Sequence, residues 1–232
     1  LNLKTEAVTA LAWSHDETLV ATGSSAGVLK VYKYATKALE FVITNAHNGN
    51  PCNLDENNLT VISKGAIKCC AWSNNHVFLA TSSEDRSVRI VDIKKTSTFW
   101  HVEELHQGNS SFSAGELIII VSADVNFVGW SPNSKLLATA SNDCTIKILD
   151  VANKQIVFHF DDIHAGNLTT SPAGISTILG PVRSLSWSAD GKKIVTCAND
   201  WSVVLLDTQT KTGEVLFSDI CNSKIPFSIV SL

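Results

Sequence analysis

Residues 124–151 read DVNFVGWSPNSKLLATASNDCTIKILDV, and this stretch contains the pattern around which the rest of the chain is organised. An apolar run ends in Trp-Ser, a polar turn follows, and two further short apolar runs come after it. The pattern returns three more times, and successive Trp residues of the Trp-Ser pairs lie 59, 58 and 57 residues apart. They are Trp13, Trp72, Trp130 and Trp187. The chain is therefore built from one repeated unit.

The repeated unit is made of β-strands. Its β-branched and aliphatic residues come in short runs bounded by Gly, Ser, Asn and Asp, which is typical of strands joined by tight turns. A period of tens of residues is typical of arrays and propellers, in which one unit cannot bury its apolar faces without a neighbour. We predict four strands in each unit. In the third unit they cover residues 126–130, 135–140, 145–149 and 155–160.

The third unit resembles a WD repeat. The resemblance lies in Trp-Ser-Pro-Asn at 130–133, in Ala-Ser-Asn-Asp at 140–143, and in Ile-Lys-Ile-Leu-Asp at 146–150, where the family usually ends a strand in Trp-Asp. It implies an all-β fold, a β-propeller of four-stranded antiparallel blades. We expect one propeller region over residues 1–232, with the start of a fifth blade at 225–232. The four predicted blades cover approximately residues 7–46, 65–105, 124–163 and 181–220.

The first unit departs most from the family pattern. The family's signature Trp is replaced in all four units, by Tyr32, Val91, Leu149 and Leu206. Its neighbouring Asp is kept as Asp92, Asp150 and Asp207, but the first unit has Lys33. An Asp at the turn between the second and third strands is kept as Asp85, Asp143 and Asp200, but the first unit has Ala26. We therefore expect packing, rather than the family's polar relay, to stabilise the first blade.

Long insertions separate the predicted blades, at residues 48–64, 107–123 and 165–180. The resemblance implies that they lie on the propeller face that also carries the turn between the second and third strands. Loops of this length in a compact domain are more often functional or disordered than idle. The β-prone run at 117–121 is expected either to extend the inner strand or to pack on the propeller face, since left exposed it would favour aggregation.

Composition narrows the classes of function. Charged residues make up 17% of the 232 residues, below the roughly 25% of an average soluble domain, so extended disorder is not expected. The net charge of −4, with no block of like charges, argues against a surface that neutralises nucleic-acid phosphates. No apolar segment reaches the roughly 20 residues of a membrane span, and residues 1–6 do not form a signal peptide. We expect an intracellular, reducing location, either cytoplasm or nucleus, and no membrane partner.

Closure of the propeller has three possible solutions. The chain lacks Met and contains four units and part of another, fewer than the seven or so blades common in the family. Since an open array leaves bare strand edges, we expect a fragment of a longer propeller, a small closed ring, or completion by a second chain.

Three histidines recur once per unit, and they could be read as metal ligands. They are His47, His106 and His164. Ligands of one ion must converge within about 2 Å of it, whereas the repeat separates these residues. We expect each His to hydrogen-bond within its own blade, to Thr22, Thr81, Thr139 or the turn Asp. The same spacing argues against the turn Asp residues as a catalytic pair. The sequence predicts no catalytic residue, no metal and no cofactor.

Trp201 is the leading candidate for protein binding. It follows Asp200 at a turn where the other units have Gly27, Arg86 and Cys144, so the repeat does not require a Trp there. Beside a Lys/Arg-bearing rim that includes Arg86, an exposed Trp would form a binding hot spot. The alternative is that Trp201 covers the neighbouring insertion.

A basic position in the third strand is a second candidate. The aligned residues are Lys30, Arg89 and Lys147, replaced by Val204 in the fourth unit. They either bind a peptide or pack along the blade with their charges at the surface.

The sequence thus predicts a non-catalytic scaffold for protein–protein interaction. Binding should concentrate on residues 51–64, 110–123 and 168–180 together with Trp201. The alternatives are an RNA-associated subunit of a ribonucleoprotein assembly, with a basic stripe on further blades, and a metal-dependent enzyme that uses the three histidines.

Overall fold

The short apolar runs form strands, and each set of four consecutive long strands pairs into one antiparallel sheet. The structure, a computed structural model, describes residues 6–48, 51–53, 60–62, 65–106, 112–114, 117–119, 123–161, 163–164 and 180–218. In these ranges all regular structure is β. The all-β fold class with four-stranded blades is confirmed, and the predicted strands of the third unit agree with the observed ones to within a residue.

Twenty strands follow one another along the described residues. The first sheet contains β1 (Val8–Trp13), β2 (Leu19–Ser24), β3 (Leu29–Lys33) and β4 (Leu39–Ile43), and a short hairpin follows with β5 (Pro51–Asn53) and β6 (Thr60–Ile62). The second sheet contains β7 (Ile67–Trp72), β8 (Phe78–Ser83), β9 (Val88–Asp92) and β10 (Ser97–Val102), followed by the hairpin of β11 (Phe112–Ala114) and β12 (Leu117–Ile119). The third sheet contains β13 (Val125–Trp130), β14 (Leu136–Ser141), β15 (Ile146–Asp150) and β16 (Gln155–Phe160). The fourth contains β17 (Val182–Trp187), β18 (Lys193–Ala198), β19 (Val203–Asp207) and β20 (Thr212–Phe217).

The four repeated Trp residues occupy equivalent places. Each ends the first strand of its sheet and lies opposite the second residue of the second strand. The opposing pairs are Trp13 with Val20, Trp72 with Leu79, Trp130 with Leu137 and Trp187 with Ile194. The register of the first strand pair also shifts at the same place in every sheet, two residues after its start. The repeat in the sequence is therefore a repeat of one sheet.

The Ser after each Trp explains why the pair recurs. In the second sheet the Ser73 hydroxyl accepts a hydrogen bond of 2.8 Å from the backbone N–H of Phe78, which starts the next strand. The Ser hydroxyls of the other sheets accept the same bond at 2.9 Å. The turn that each Ser closes contains a left-handed residue, and these are Glu17, His76, Ser134 and Gly191. A short side-chain oxygen at this position therefore fixes the first turn of each sheet.

The described residues form two compact units, divided between Leu105 and His106. In the first of these two compact units, apolar residues of the first and second sheets form one core cluster that includes Leu29, Ile67 and Leu79. The Trp72 indole N–H donates to the Ala12 carbonyl across these two sheets, at 3.1 Å. This bond fixes the position of β7 in the second sheet relative to β1 in the first.

The second compact unit repeats this arrangement with the third and fourth sheets. Their shared core includes Ile146, Ile148 and Leu206. The Trp187 indole N–H donates to the Gly129 carbonyl at 2.9 Å. A Cβ at Gly129 would lie 2.8 Å from the end of the Leu185 side chain, so a larger residue there would require that side chain to shift.

The insertions carry local β-structure of their own. Residues 112–114 pair with 117–119 in an antiparallel hairpin that is separate from the sheet of the following inner strand, and residues 51–53 pair with 60–62 in the same way. The part of the β-prone run that the structure describes therefore does not extend the inner strand. Most of the third insertion and the predicted start of a fifth blade lie outside the described residues. Within the described ranges, no helix has the length and apolar character needed to span a membrane.

Candidate protein-binding surface

One edge of every sheet collects the features that the sequence analysis singled out. In the fourth sheet, Val182 at the start of β17 pairs with Ala198 at the end of β18, and Val203 at the start of β19 pairs with Phe217 at the end of β20. The turn between the second and third strands therefore lies beside the start of the first strand and the end of the fourth. Because the insertions connect at these same ends, we call this edge of each sheet the insertion edge.

Each repeated His binds a strand Thr and the turn Asp, the predicted kinds of partner, but they belong to the sheet that follows it in the chain and not to its own blade. His47 follows the fourth strand of the first sheet, yet its ring nitrogens contact residues of the second sheet. Nε2 lies 2.8 Å from the Thr81 hydroxyl, and Nδ1 lies 2.8 Å from the Ser87 hydroxyl and 3.2 Å from the Asp85 carboxylate. The partners of the His47 ring therefore lie in the next sheet along the chain.

The other two histidines make the same contacts. His106 lies 2.8 Å from the Thr139 hydroxyl and 3.0 Å from both Asp143 and Thr145. His164 lies 2.8 Å from the hydroxyls of Thr196 and Ser202 and 3.3 Å from Asp200. All three histidine side chains are fully buried. We call each set of His, two hydroxyls and Asp a relay.

The geometry assigns the protons of a relay. In the relay of His106, a neutral imidazole with its proton on Nδ1 donates to the carboxylate and the adjacent hydroxyl, while Nε2 accepts from the Thr139 hydroxyl. The hydroxyl of Ser87 in turn donates to Asp85 at 2.6 Å, and Thr145 donates to Asp143 at 2.7 Å. Every ring nitrogen is thus occupied. Among the described residues no group of three His, Cys, Asp or Glu side chains could hold a metal ion.

Hydrogen bonds keep the relay carboxyl groups ionised. Burial is the largest single effect and would raise the pKa of Asp85, but hydrogen bonds and attraction from His47, with hydrogen bonds from Ser87, hold that pKa well below its ordinary value. The pKa values of Asp143 and Asp200 are lowered by the same balance. Burial lowers the pKa of His106 despite the neighbouring Asp143, so this relay pairs a neutral imidazole with a carboxylate at neutral pH.

The first sheet has no relay within the described residues. The Thr22 hydroxyl, which is equivalent to Thr81, donates only a long bond of 3.5 Å to the Lys30 carbonyl. At its insertion-edge turn the Ser24 hydroxyl accepts from the backbone N–H groups of Ala26 and Val28. The buried Leu29 and Val31 supply the core instead. This agrees with the expectation that packing stabilises the first blade.

The insertion-edge turn needs a left-handed residue in every sheet. Gly27, Arg86, Cys144 and Trp201 have φ values of 74°, 67°, 67° and 61°. At Gly27 a Cβ would lie only 2.0 Å from the His47 carbonyl oxygen, so glycine is required there. The other sheets carry a side chain at this position, and the three side chains differ in size and charge. The Trp201 side chain is half-buried, between the two predicted alternatives.

The basic candidates differ in how strongly they are held. The Arg86 guanidinium donates to Glu104 at 3.2 Å, which ties it to its own sheet. Arg89 donates to the Thr98 hydroxyl at 2.8 Å and contacts the His101 ring at 3.4 Å, so it lies along the blade towards the outer strand. Lys30 is half-buried on β3.

Lys147 lies at a surface depression of the third sheet, lined also by the outer-strand residues 156–159. No hydrogen bond or ion pair within the described ranges joins Lys147 to Trp201.

Arg183 was missed by the sequence analysis. It is the second residue of β17, and its side chain donates to Asn199 at 2.9 Å and to Asn142 at 3.0 Å. Both amides directly precede a relay Asp at the insertion edge. The only available signal was the variability of this repeat position, which is Thr9, Lys68 and Asn126 in the other sheets.

Comparison with known families decides the identity of the repeat. The family described as "WD domain, G-beta repeat" matches residues 2–33, 57–92, 115–150 and 175–207, which together make up more than half of the chain. The chain belongs to the WD-repeat family. The four matches follow the four sheets in order, and each contains the first three strands of its sheet and ends with the third.

Relatives of this WD-repeat chain are longer proteins. "Probable cytosolic iron-sulfur protein assembly protein 1" of Kluyveromyces lactis is 30% identical over 142 residues, which cover 59% of this chain and 35% of the relative. "Protein HIR1" of Eremothecium gossypii is 26% identical over 190 residues, which cover 82% of this chain and 20% of the relative. The chain therefore spans about a third or less of the length of these relatives.

A solved structure supports the fold. The β-propeller domain of Cps50 (Swd1) from Myceliophteria thermophila superposes with a TM-score of 0.64 at 14% identity. The match covers 96% of this chain and 60% of that domain. At this identity the likeness supports the β-propeller fold.

The departures from the WD-repeat pattern have local explanations. At the place of the signature Trp, the aliphatic side chains of Val91, Leu149 and Leu206 are fully buried, so packing replaces the indole. The Asp that follows is kept for a separate reason, because Asp92 accepts from the backbone N–H groups of Lys94 and Lys95 and caps the next turn. Asp150 and Asp207 cap the corresponding turns.

Proposed function

We propose that this WD-repeat chain is a non-catalytic scaffold that holds protein partners at the insertion edges of its sheets. The observation that carries the proposal is the relay. In three sheets a buried His and Asp fix the insertion-edge turn, and the left-handed residue beside them is the partly exposed Arg86, the buried Cys144 or the partly exposed Trp201. A rigid frame that presents variable side chains is the arrangement expected of a binding surface.

The relays also explain why catalysis is not proposed. The most chemically capable side chains at these edges are the His and Asp pairs. Their nitrogens and oxygens are buried and bound to one another, so none is directed at a substrate. Functional variation is left to the turns, the insertions and exposed polar residues.

The relatives point in the same direction. Two of them are named for the assembly of cytosolic iron–sulfur proteins. By analogy we propose protein partners and an intracellular location, in the cytoplasm or nucleus, for this chain.

The test replaces residues 51–64, 110–123 and 168–180 by short links in the full-length protein, with and without Trp201→Ala. Proteins retained by the unmodified protein are identified, and the affinity of each for the variants is measured. We expect binding to be lost from the insertion variants and kept by Lys192→Glu, an exposed change in a turn at the opposite edge of the fourth sheet.

Unchanged binding by the insertion variants would remove the proposal. Binding that collapses at raised salt and needs RNA would instead favour the RNA-associated assembly subunit, since phosphate contacts are strongly salt-dependent.

A further inference from the structure

The insertion edge of the fourth sheet holds a guanidinium group between two neutral amides. Arg183 donates from Nε to the side-chain oxygen of Asn199 and from Nη1 to that of Asn142, at 2.9 and 3.0 Å. The Asn142 oxygen also accepts from Asn126 at 2.8 Å. Asn126 in turn donates to the Val182 carbonyl, so this network joins the insertion edges of the third and fourth sheets. The guanidinium is therefore fixed in direction before any partner arrives.

Arg183 is the second residue of the first strand of its sheet, and Asn199 directly follows the second strand. Comparison of these two positions among the sheets shows what is unusual in the fourth. In the second sheet the cation Lys68 is neutralised by Glu84, with 2.7 Å between Nζ and the carboxylate. In the third sheet Asn126 meets Asn142, and both are neutral. In the fourth sheet a cation meets the neutral Asn199. Within the described part of the chain Arg183 makes no ion pair shorter than 4.0 Å, so its charge is not compensated by direct contact.

The surroundings of Arg183 are half-buried. Burial lowers its pKa and the nearby carboxylate of Asp124 raises it, but a guanidinium stays protonated under either influence. A half-buried charge interacts more strongly with an opposite charge than one in open water does.

Three donors of Arg183 and the turn that holds Asn199 are unused within the described part of the chain. Among the described residues, Nη2 of Arg183, the amide nitrogen of Asn199 and the indole N–H of Trp201 have no hydrogen-bond acceptor. Trp201 lies two residues after Asn199 in the same turn. A guanidinium that is fixed in direction and has a free N–H can bind a carboxylate oxygen through a charge-assisted hydrogen bond.

We infer that Arg183, Asn199 and Trp201 form a recognition site for a Glu or Asp side chain in an acidic segment of a protein partner. The inference rests on the scaffold function proposed above and names the chemistry of one contact. A single guanidinium carries one positive charge, which suits one carboxylate better than a run of phosphates, which requires several cations. Arg and Trp are also the side chains most enriched at protein-binding hot spots.

The site can be read directly from the indole N–H signal of Trp201 in ¹H–¹⁵N NMR spectra of the full chain, assigned by its loss in Trp201→Phe. The probe is a blocked peptide Gly-Glu-Asp-Leu-Gly, and the control is the neutral peptide Gly-Gln-Asn-Leu-Gly. We expect the acidic peptide to shift the signal in a saturable way and the neutral peptide to leave it in place.

Two variants test the guanidinium. Arg183→Gln removes the charge, and Asn199→Asp keeps the arginine but supplies an internal carboxylate of nearly the same shape, as Glu84 does for Lys68. Each should weaken binding of the acidic peptide by roughly tenfold or more, since a hydrogen-bonded charge pair loses most when one partner is removed or satisfied elsewhere. The matched control Lys68→Gln should change the affinity by less than about twofold, because that cation is already paired.

Asn199→Asp keeps the test informative even if Arg183→Gln fails to fold, since it adds an ion pair. Equal binding of the neutral peptide, or full binding by Asn199→Asp, would overturn the assignment. Inorganic phosphate shifting the Trp201 signal as strongly as the acidic peptide, at equal concentration, would also overturn it in favour of a general anion site. If partners are lost with the insertions but bind Asn199→Asp normally, the acidic-segment site is wrong and the scaffold stands. If binding no longer depends on the insertions, the scaffold itself is wrong.

Discussion

The inner strands of the first and second sheets have the same register and nearly opposite environments. Val8, Leu11 and Trp13 on β1 are 64%, 67% and 47% exposed, whereas the equivalent residues of β7 are 0%, 6% and 5% exposed. The second sheet packs against the first, and Trp72 donates to a carbonyl of β1. The difference therefore comes from the neighbouring sheet and is not a property of the blade itself. A WD-repeat blade supplies an apolar face, and another sheet has to cover it.

The largest expected effect tests this statement directly. Trp72→Ala should lower the free energy of unfolding by about 3–5 kcal/mol, because it leaves a cavity between two sheets and removes the bond to the Ala12 carbonyl. Trp13→Ala should cost about 1 kcal/mol, since Trp13 is half-exposed and mainly contacts the ring of Tyr34. Urea denaturation of the two variants measures both values, and equal costs would break the comparison.

The relay provides the next test. Asp85→Ala should cost about 1–3 kcal/mol, since it leaves the buried His47 and Ser87 without their acceptor. Ala26→Asp, the reverse change at the same place in the first sheet, should alter stability by less than about 0.5 kcal/mol because no His lies at Thr22 among the described residues. Thermal unfolding of both variants checks the pair, and a large gain from Ala26→Asp would contradict the account of the first sheet.

Acid should act through the relays. The pKa values of Asp85, Asp143 and Asp200 are lower in the folded protein than their ordinary value of 3.8. Their contribution to stability is therefore fully present above that value and is lost as the pH falls through the lower folded values. The pKa of His106 is also lowered, from 6.5, so stability should begin to fall once the pH drops below about 6.5.

Urea midpoints measured from pH 8 to pH 3 check both phases. Asp143→Asn should reduce the loss below pH 4. A midpoint that rises on acidification would contradict the proton assignment of the relays.

The smallest expected effect concerns the turn between the third and fourth strands. Lys33 in the first sheet pairs with Glu40 at the surface, whereas Asp92 in the second sheet accepts two backbone N–H groups. Lys33→Ala should change the free energy of unfolding by about 0–0.5 kcal/mol and Asp92→Ala by about 1 kcal/mol. Differential scanning calorimetry can separate the two, and a larger loss from Lys33→Ala would reverse the ranking.

The sequence predicted the repeated strands and the fold class, but it did not predict the contacts between different sheets. The spacing of the Trp-Ser pairs, with the short apolar runs between them, was enough for the strands and for the fold class. The partners of His47 were placed in the wrong sheet, because sequence order does not reveal that the end of one sheet inserts into the next. Arg183 was missed since its acceptors lie 41 and 16 residues away, at positions that are unremarkable until the sheets are packed.

The relay histidines have one further consequence, for how the array comes apart. His47 follows the last strand of the first sheet but is locked inside the second, and His164 is placed in the same way between the third and fourth. Separation of the outer strand from one blade therefore breaks the hydrogen bonds of its His to the next blade, so the outer strand does not detach alone. Consecutive blades should therefore open together when the chain is stretched from its ends.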